Sequence, residues 1–122
     1  RPLGDAGMIA RAVWIVLRVI GAVIIVPITE ELAFRGFLLR RIGNENFEQA
    51  RFRDASWVGV ELSSIVFGVL HGSRWPAGIA AGLVYAWAAR KHERIGDAVV
   101  AHAITNGLIA ALVLGWGQWR LW

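Results

Sequence analysis

Two adjacent carboxylates, Glu30 and Glu31, stand in the stretch VPITEELAFRGFLLRR at 26–41, directly after a strongly apolar run. Arg35 follows Glu31 by four positions, so on a helix the two share a face and can pair. Glu30 lies about 100° round the helix from Glu31 and need not share that partner. One carboxylate is therefore left for another task. Two more polar groups sit in apolar surroundings. IVFGVLH at 65–71 ends on His71, with Phe67 one turn earlier and able to pack its ring beneath the imidazole. AHAITNG at 101–107 sets His102 and Asn106 one turn apart on one face. Hydrolysis of an amide needs a base for water, donors for the developing oxyanion and an acid for the leaving amine. Glu30, His71, His102 and Asn106 could fill all of these roles together. The chain has no cysteine, and Ser63, Ser64 and Ser73 show no triad arrangement, so a covalent route is less attractive.

Each group also has a plainer explanation. Pro27 and Thr29 could mark a kink or a helix restart capped by Thr29, with Glu30, Glu31 and Arg35 as a solvated first turn. His71 could be interfacial, and His102 with Asn106 a structural pair between helices. Taken together they are harder to dismiss. An ionisable group inside a membrane costs about 3 kcal/mol or more when unpaired, so such groups normally face an interior cavity.

The elements that must position these residues are apolar helices. Of 122 residues, 57% are hydrophobic and 18% charged, against about a quarter charged in a soluble domain. The 14 glycines and 7 tryptophans suit membrane helices. Four apolar segments stand out: 8–28, which can continue helically to 42, then 57–73, 75–89 and 95–117. The expected fold is an all-α, polytopic membrane helix bundle with four spans. Crossing a bilayer takes about 17–25 residues. The third segment falls short of that and would need Arg90 and Lys91 to snorkel. The loops 40–56 and 90–94 carry Arg40, Arg41, Arg51, Arg53, Arg90, Lys91 and Arg94, while the turn between segments two and three holds only Arg74. That bias predicts a multi-pass protein of the cell membrane with loops 40–56 and 90–94 cytoplasmic. Trp57 and Trp87 then fall near that face, with Trp75, Trp116, Trp119 and Trp122 near the other. The formal charge of +4 does not point to nucleic acid, because the basic residues are split among segment ends.

Two stripes of small residues, Gly78–Gly82–Ala86 and Ala103–Gly107–Ala111–Gly115, would let helices approach closely. One feature fits poorly: His71 lies about 21 Å of helical rise from Trp57, His102 only about 10 Å from Ile95. The chain starts at Arg1 without an initiator methionine, and residues 1–122 read as the catalytic core of a longer protein.

These residues resemble the CAAX prenyl endopeptidase and bacteriocin-processing family of intramembrane proteases, also called Abi or type II CAAX proteases. EELAFR at 30–35, continued by GFLLRR, matches the first motif; FGVLH at 67–71 matches the second, and HAITN at 102–106 the third. The resemblance covers about 24–112, with the motifs in order. It implies that Glu30 and His71 activate water and that His102 and Asn106 hold the oxyanion. It further implies that Glu31 and Arg35 organise the site or orient the substrate's terminus, with Phe67 supporting His71. Some members of the family remove the last three residues of prenylated proteins, so the expected partners are a membrane-associated protein or peptide and membrane lipid. Members generally have six to eight spans, more than are visible here. No cofactor is favoured. Zinc is the alternative, with Glu30, His71 and His102 as ligands, although the HExxH helix of soluble zinc proteases is missing. A catalytically inactive membrane scaffold or immunity protein is the rival reading of the same helices. Oligomeric state is not specified by these residues.

Overall fold

A computed structural model describes residues 7–122, and four helices carry the architecture. The first, α1, runs Met8–Arg41 without a break. It is α-helical at its ends but widens to a π-helix at Gly21–Ile25 and again at Leu32–Leu38. Pro27 accounts for the first widening. Proline has no N–H and crowds the preceding turn, and a π-bulge accommodates both. The helix does not restart at this point. Thr29 is not a cap: its hydroxyl donates back to the Ile25 and Val26 carbonyls at 2.9 and 3.1 Å.

The second helix, α2, spans Trp57–Val69 and is capped by Ser56, whose hydroxyl accepts the Gly59 N–H at 2.9 Å. A short turn at Gly72–Arg74 leads into α3, Trp75–His92, which starts with proline in its first turn. The last, α4, spans Ile95–Trp116 and is stopped by Gly117 in the left-handed region at φ 66°. Chain direction alternates from helix to helix. At one end Glu93 accepts the Phe52 and Arg53 N–H groups at 2.9 and 2.6 Å, which joins the two basic loops. At the other end Arg74 donates to the Leu121 carbonyl at 3.1 Å, and Trp14 meets Trp122.

The bundle is all-α, but among the described residues two helices, not four, are long and apolar enough to cross a membrane: α1 and α4. The 13 residues of α2 rise only about 20 Å, against a hydrocarbon thickness of about 30 Å. The apolar part of α3 ends where Arg90, Lys91 and His92 begin. Both long helices turn large apolar side chains outward, among them Val16, Leu17, Ile24, Ile28, Ile104 and Leu108. So much contiguous exposed apolar surface suits lipid rather than water. On α3, Leu83, Val84 and Trp87 are also exposed, so this helix is not the fully enclosed core of a soluble bundle.

The interior is narrow and built from small side chains. Leu39, Val60, Phe67, Tyr85, Ala86, Ala89 and Ala98 form one cluster. The first small-residue stripe does bring α3 onto α2. A Cβ added to Gly78 would lie 2.8 Å from Gly68 Cα, and one on Gly82 would lie 3.1 Å from Ser64 Cα. The second stripe is not packed in this way: near Gly107 only Val23 would come within 3.9 Å, and Gly115 faces open space. Gly68 is the tightest position, since a Cβ there would stand 2.3 Å from Ile79 Cγ1 and 2.7 Å from the Trp75 carbonyl oxygen. Backbone cannot give way as a flexible side chain can. Gly68→Ala is therefore expected to destabilise the bundle by about 1–3 kcal/mol, read as a lower midpoint of thermal unfolding in detergent.

The mismatch in histidine depth has a structural reason. Gly59 packs on Leu39 whereas Ile95 packs on Gly36, so α4 begins nearly a turn deeper in the bundle than α2. His102 consequently comes level with Phe67, and His71 lies one turn beyond.

Glu93 occupies the left-handed region at φ 54°, which usually falls to glycine. Its carboxylate explains the exception through the two N–H bonds above and a third from Arg53 Nε at 3.0 Å. Burial acts to raise its pKa, but the Arg53 N–H, the Arg53 guanidinium and the Phe52 N–H outweigh it and hold the group below the ordinary value of 4.5. A depressed carboxylate stabilises the fold fully above its unfolded pKa, and that contribution is lost as pH falls through the folded value. Hydrogen-exchange protection of the Phe52 and Arg53 amides, corrected for intrinsic rate, is thus expected to persist at neutral pH and to collapse below pH 4.5.

Candidate active site

Three of the helices bring carboxylates, imidazoles and an amide together, and α3 supplies the floor. Glu31 and Arg35 on α1 are wholly buried, with Arg35 Nη1 donating to Glu31 Oε1 at 3.1 Å. Arg35 Nη2 donates to the Gly82 carbonyl at 2.7 Å. A side chain on Gly82 would meet that guanidinium at 3.1 Å, so glycine here admits the arginine to α3's backbone. The Arg35 guanidinium also lies over Phe67, 4.6 Å from the ring centre.

His102 completes the group. Its Nδ1 is 2.8 Å from the same Glu31 Oε1 that accepts from Arg35. That oxygen is an acceptor, so Nδ1 is the donor and carries a proton. The tautomer is fixed in the way a carboxylate fixes an imidazole in metal and triad sites. Nε2 then faces Glu30, with Glu30 Oε2 3.8 Å away. Tyr85 stacks on the His102 ring at 4.7 Å and 15°, and Phe67 meets it edge-on at 5.6 Å. The imidazole cannot tip without displacing one of them.

His71 lies just past the end of α2. Its ring is 4.5 Å from Phe67, as the four-residue spacing anticipates, and its Nδ1 is 2.7 Å from the Phe67 carbonyl. A carbonyl can only accept, so Nδ1 donates and Nε2 keeps a lone pair. Asn106 has a local reason for its position. In the π-helical register the Val26 N–H goes to the Gly21 carbonyl, and the next carbonyl, Ala22, would look to Pro27, which has no N–H. Asn106 Nδ2 fills that gap, donating to the Ala22 carbonyl at 2.7 Å. One amide hydrogen is thereby used and the other remains.

His71, His102 and Asn106 share one cavity of about 300 Å³ between α1, α3 and α4. Glu30 reaches His102 but is not part of that lining. Its Oε2 is buried without a hydrogen-bond partner, as are Glu31 Oε2 and Arg35 Nε. Buried polar atoms are nearly always paired, and clusters of exceptions accompany functional sites. The zinc alternative does not fit: among the described residues no three His, Asp or Glu side chains converge as a ligand set.

Two participants were missed in the sequence, Tyr85 and Gly82. Tyr85 is the chain's only tyrosine and stands one turn after Gly82, on the face that packs most closely. An aromatic with a polar tip at that spacing was the available signal.

An apolar helical bundle, with two helices among the described residues long and apolar enough to cross a membrane, encloses a buried Glu–Arg–His network. The chain belongs to the Rce1-like family: the family model described as type II CAAX prenyl endopeptidase Rce1-like matches residues 12–108. Comparison with curated proteins and with solved structures returns no match.

Proposed function

We propose that this chain is the catalytic core of an intramembrane endopeptidase that hydrolyses a peptide bond near the C-terminus of, or within, a membrane-associated protein. The supporting observation is the proximity of a hydrogen-bond-free Glu30 oxygen to the second nitrogen of a buried imidazole whose other nitrogen is held by Glu31. Glu30 takes a proton from water, assisted by the His71 Nε2 lone pair, and the water oxygen adds to the carbonyl carbon. The second Asn106 amide hydrogen and, in the imidazolium form, His102 Nε2–H donate to the resulting oxyanion. Collapse of the intermediate breaks the C–N bond, and the proton held by Glu30 passes to the leaving amine. Glu31 and Arg35 act as positioning residues: they hold His102 and, being wholly buried, do not touch the peptide.

In the membrane, α1 and α4 cross and the shorter α2–α3 hairpin dips between them, with loops 40–56 and 90–94 cytoplasmic. A hairpin returns to its own side whether or not it spans, so this orientation does not depend on four crossings.

The test is cleavage of a peptide by full-length protein in liposomes, comparing wild type with Glu30→Gln and His71→Ala, with and without chelator. Turnover by the wild type alone, insensitive to chelator, supports the mechanism. Chelator loss restored by zinc points to the metal-dependent version, and a wild type without turnover to a scaffold or immunity role.

A further inference from the structure

After α4 the chain does not leave the bundle. Gly117, at φ 66°, turns it back, and the Gln118 N–H bonds to the Leu112 carbonyl at 3.4 Å. One short turn follows at Trp119–Leu121. Leu121 and Trp122 then line the cavity that contains His71, His102 and Asn106.

This segment is tied to the other walls of the cavity. Arg74, in the turn between α2 and α3, donates to the Arg120 carbonyl and, at 3.1 Å, to that of Leu121. On α1, Trp14 meets the Trp122 ring edge-on at 6.2 Å, and the Arg18 guanidinium lies 5.5 Å from the same ring centre. An extension of α4 is thus fastened to α1 and to the α2–α3 turn, across the opening between them. The fastenings are of a kind that can be undone. No residue of Trp119–Leu121 is buried, and both Arg74 bonds are exposed. The hydrophobic core cluster takes no side chain from this segment. Once released, Trp119 and Trp122 have a second favourable environment at the membrane–water interface, where tryptophan rings concentrate.

We propose that residues 118–122 form an autoinhibitory strap, closed in this structure, that fills part of the cavity and swings about Gly117 to open it. Arg74 and the Trp14–Arg18 pair are its clasp. That the excluded molecule is a peptide substrate rests on the endopeptidase reading; the closure itself does not. A site that is open for only a fraction of the time has its apparent affinity reduced by that fraction. A strap open in about one molecule in ten therefore raises KM about tenfold and leaves kcat, set with substrate already in place, unchanged.

The experiment uses full-length protein in nanodiscs and two readouts. The chain has no cysteine, so Ala81→Cys places a single thiol within it, on the cavity wall. Its reaction with a small water-soluble methanethiosulfonate is expected to be about tenfold faster when combined with Arg74→Gln or Trp122→Ala. Arg74→Lys should fall between, since an ammonium keeps a donor but not the fork. Ala98→Cys, in the core and away from the cavity, reports on the bundle itself and should stay unreactive throughout. In peptide hydrolysis, Arg74→Gln and Trp122→Ala without the reporter should lower KM about tenfold at constant kcat. Faster labelling of Ala81→Cys in a protein that hydrolyses nothing supports the strap and sinks the endopeptidase reading alone. Equal labelling rates with and without Arg74 and Trp122 overturn the strap. So does acceleration at Ala98→Cys as well, which would mean a loosened bundle, and so does a KM that stays put while labelling quickens.

Discussion

Replacing Glu30 by glutamine is expected to lower kcat for peptide hydrolysis by about 10²–10⁴-fold, the range for removing a positioned acid–base group. The unfolding midpoint should stay close to that of the wild type. Glutamine keeps the shape of the side chain, and Glu30 Oε2 has no hydrogen bond to lose. Its closest approach to a possible ionic partner is to His102, with Nε2 at 3.8 Å, beyond hydrogen-bond distance. Structure therefore asks little of this carboxylate, and chemistry asks much. Parallel measurement of kcat and unfolding separates the two: a loss of both together would make Glu30 a packing residue.

Arg35→Met should give the opposite signature. Arg35 and Glu31 are both wholly buried, and the arginine also satisfies the Gly82 carbonyl. Removing one partner of a buried pair leaves a charge without compensation and costs about 3–5 kcal/mol. The unfolding midpoint in detergent should fall accordingly, and activity should fall with it. Arg35→Lys is expected to rescue little, because an ammonium cannot reach Glu31 on α1 and Gly82 on α3 with one planar fork. Combining Glu31→Gln with Arg35→Met should recover part of the lost stability, since the stranded carboxylate is removed as well. Unchanged stability in Arg35→Met would mean that the Arg35–Gly82 bond does not hold α1 to α3.

Much of this site could be read from spacing. Glu31 and Arg35 pair because they are one turn apart, Phe67 lies against His71 for the same reason, and His102 and Asn106 both turn towards α1. The two basic loops meet at one end of the bundle, through Glu93 and the Phe52 N–H. Other features were hidden because they depend on backbone register across helices. Pro27 signalled a disturbance, yet the helix absorbs it as a π-bulge, and Thr29 bonds backward instead of capping. That bulge frees the Ala22 carbonyl and so gives Asn106 its partner, which no pairwise spacing within α4 could reveal. The depth of α4 likewise depends on Ile95 meeting Gly36, a contact between residues 59 positions apart in sequence. Four spans were expected from apolar runs alone, but a 13-residue α2 does not have the length.

The measurement that bears most directly on the central claim is a double-mutant cycle between Glu30 and His102 in single-turnover hydrolysis by full-length protein in liposomes. If the carboxylate and the locked imidazole act on one water and one carbonyl as a unit, Glu30→Gln/His102→Gln should be no slower than the worse of the two single variants. Losses that simply multiply would contradict this, because they would place the two side chains in separate and independent roles.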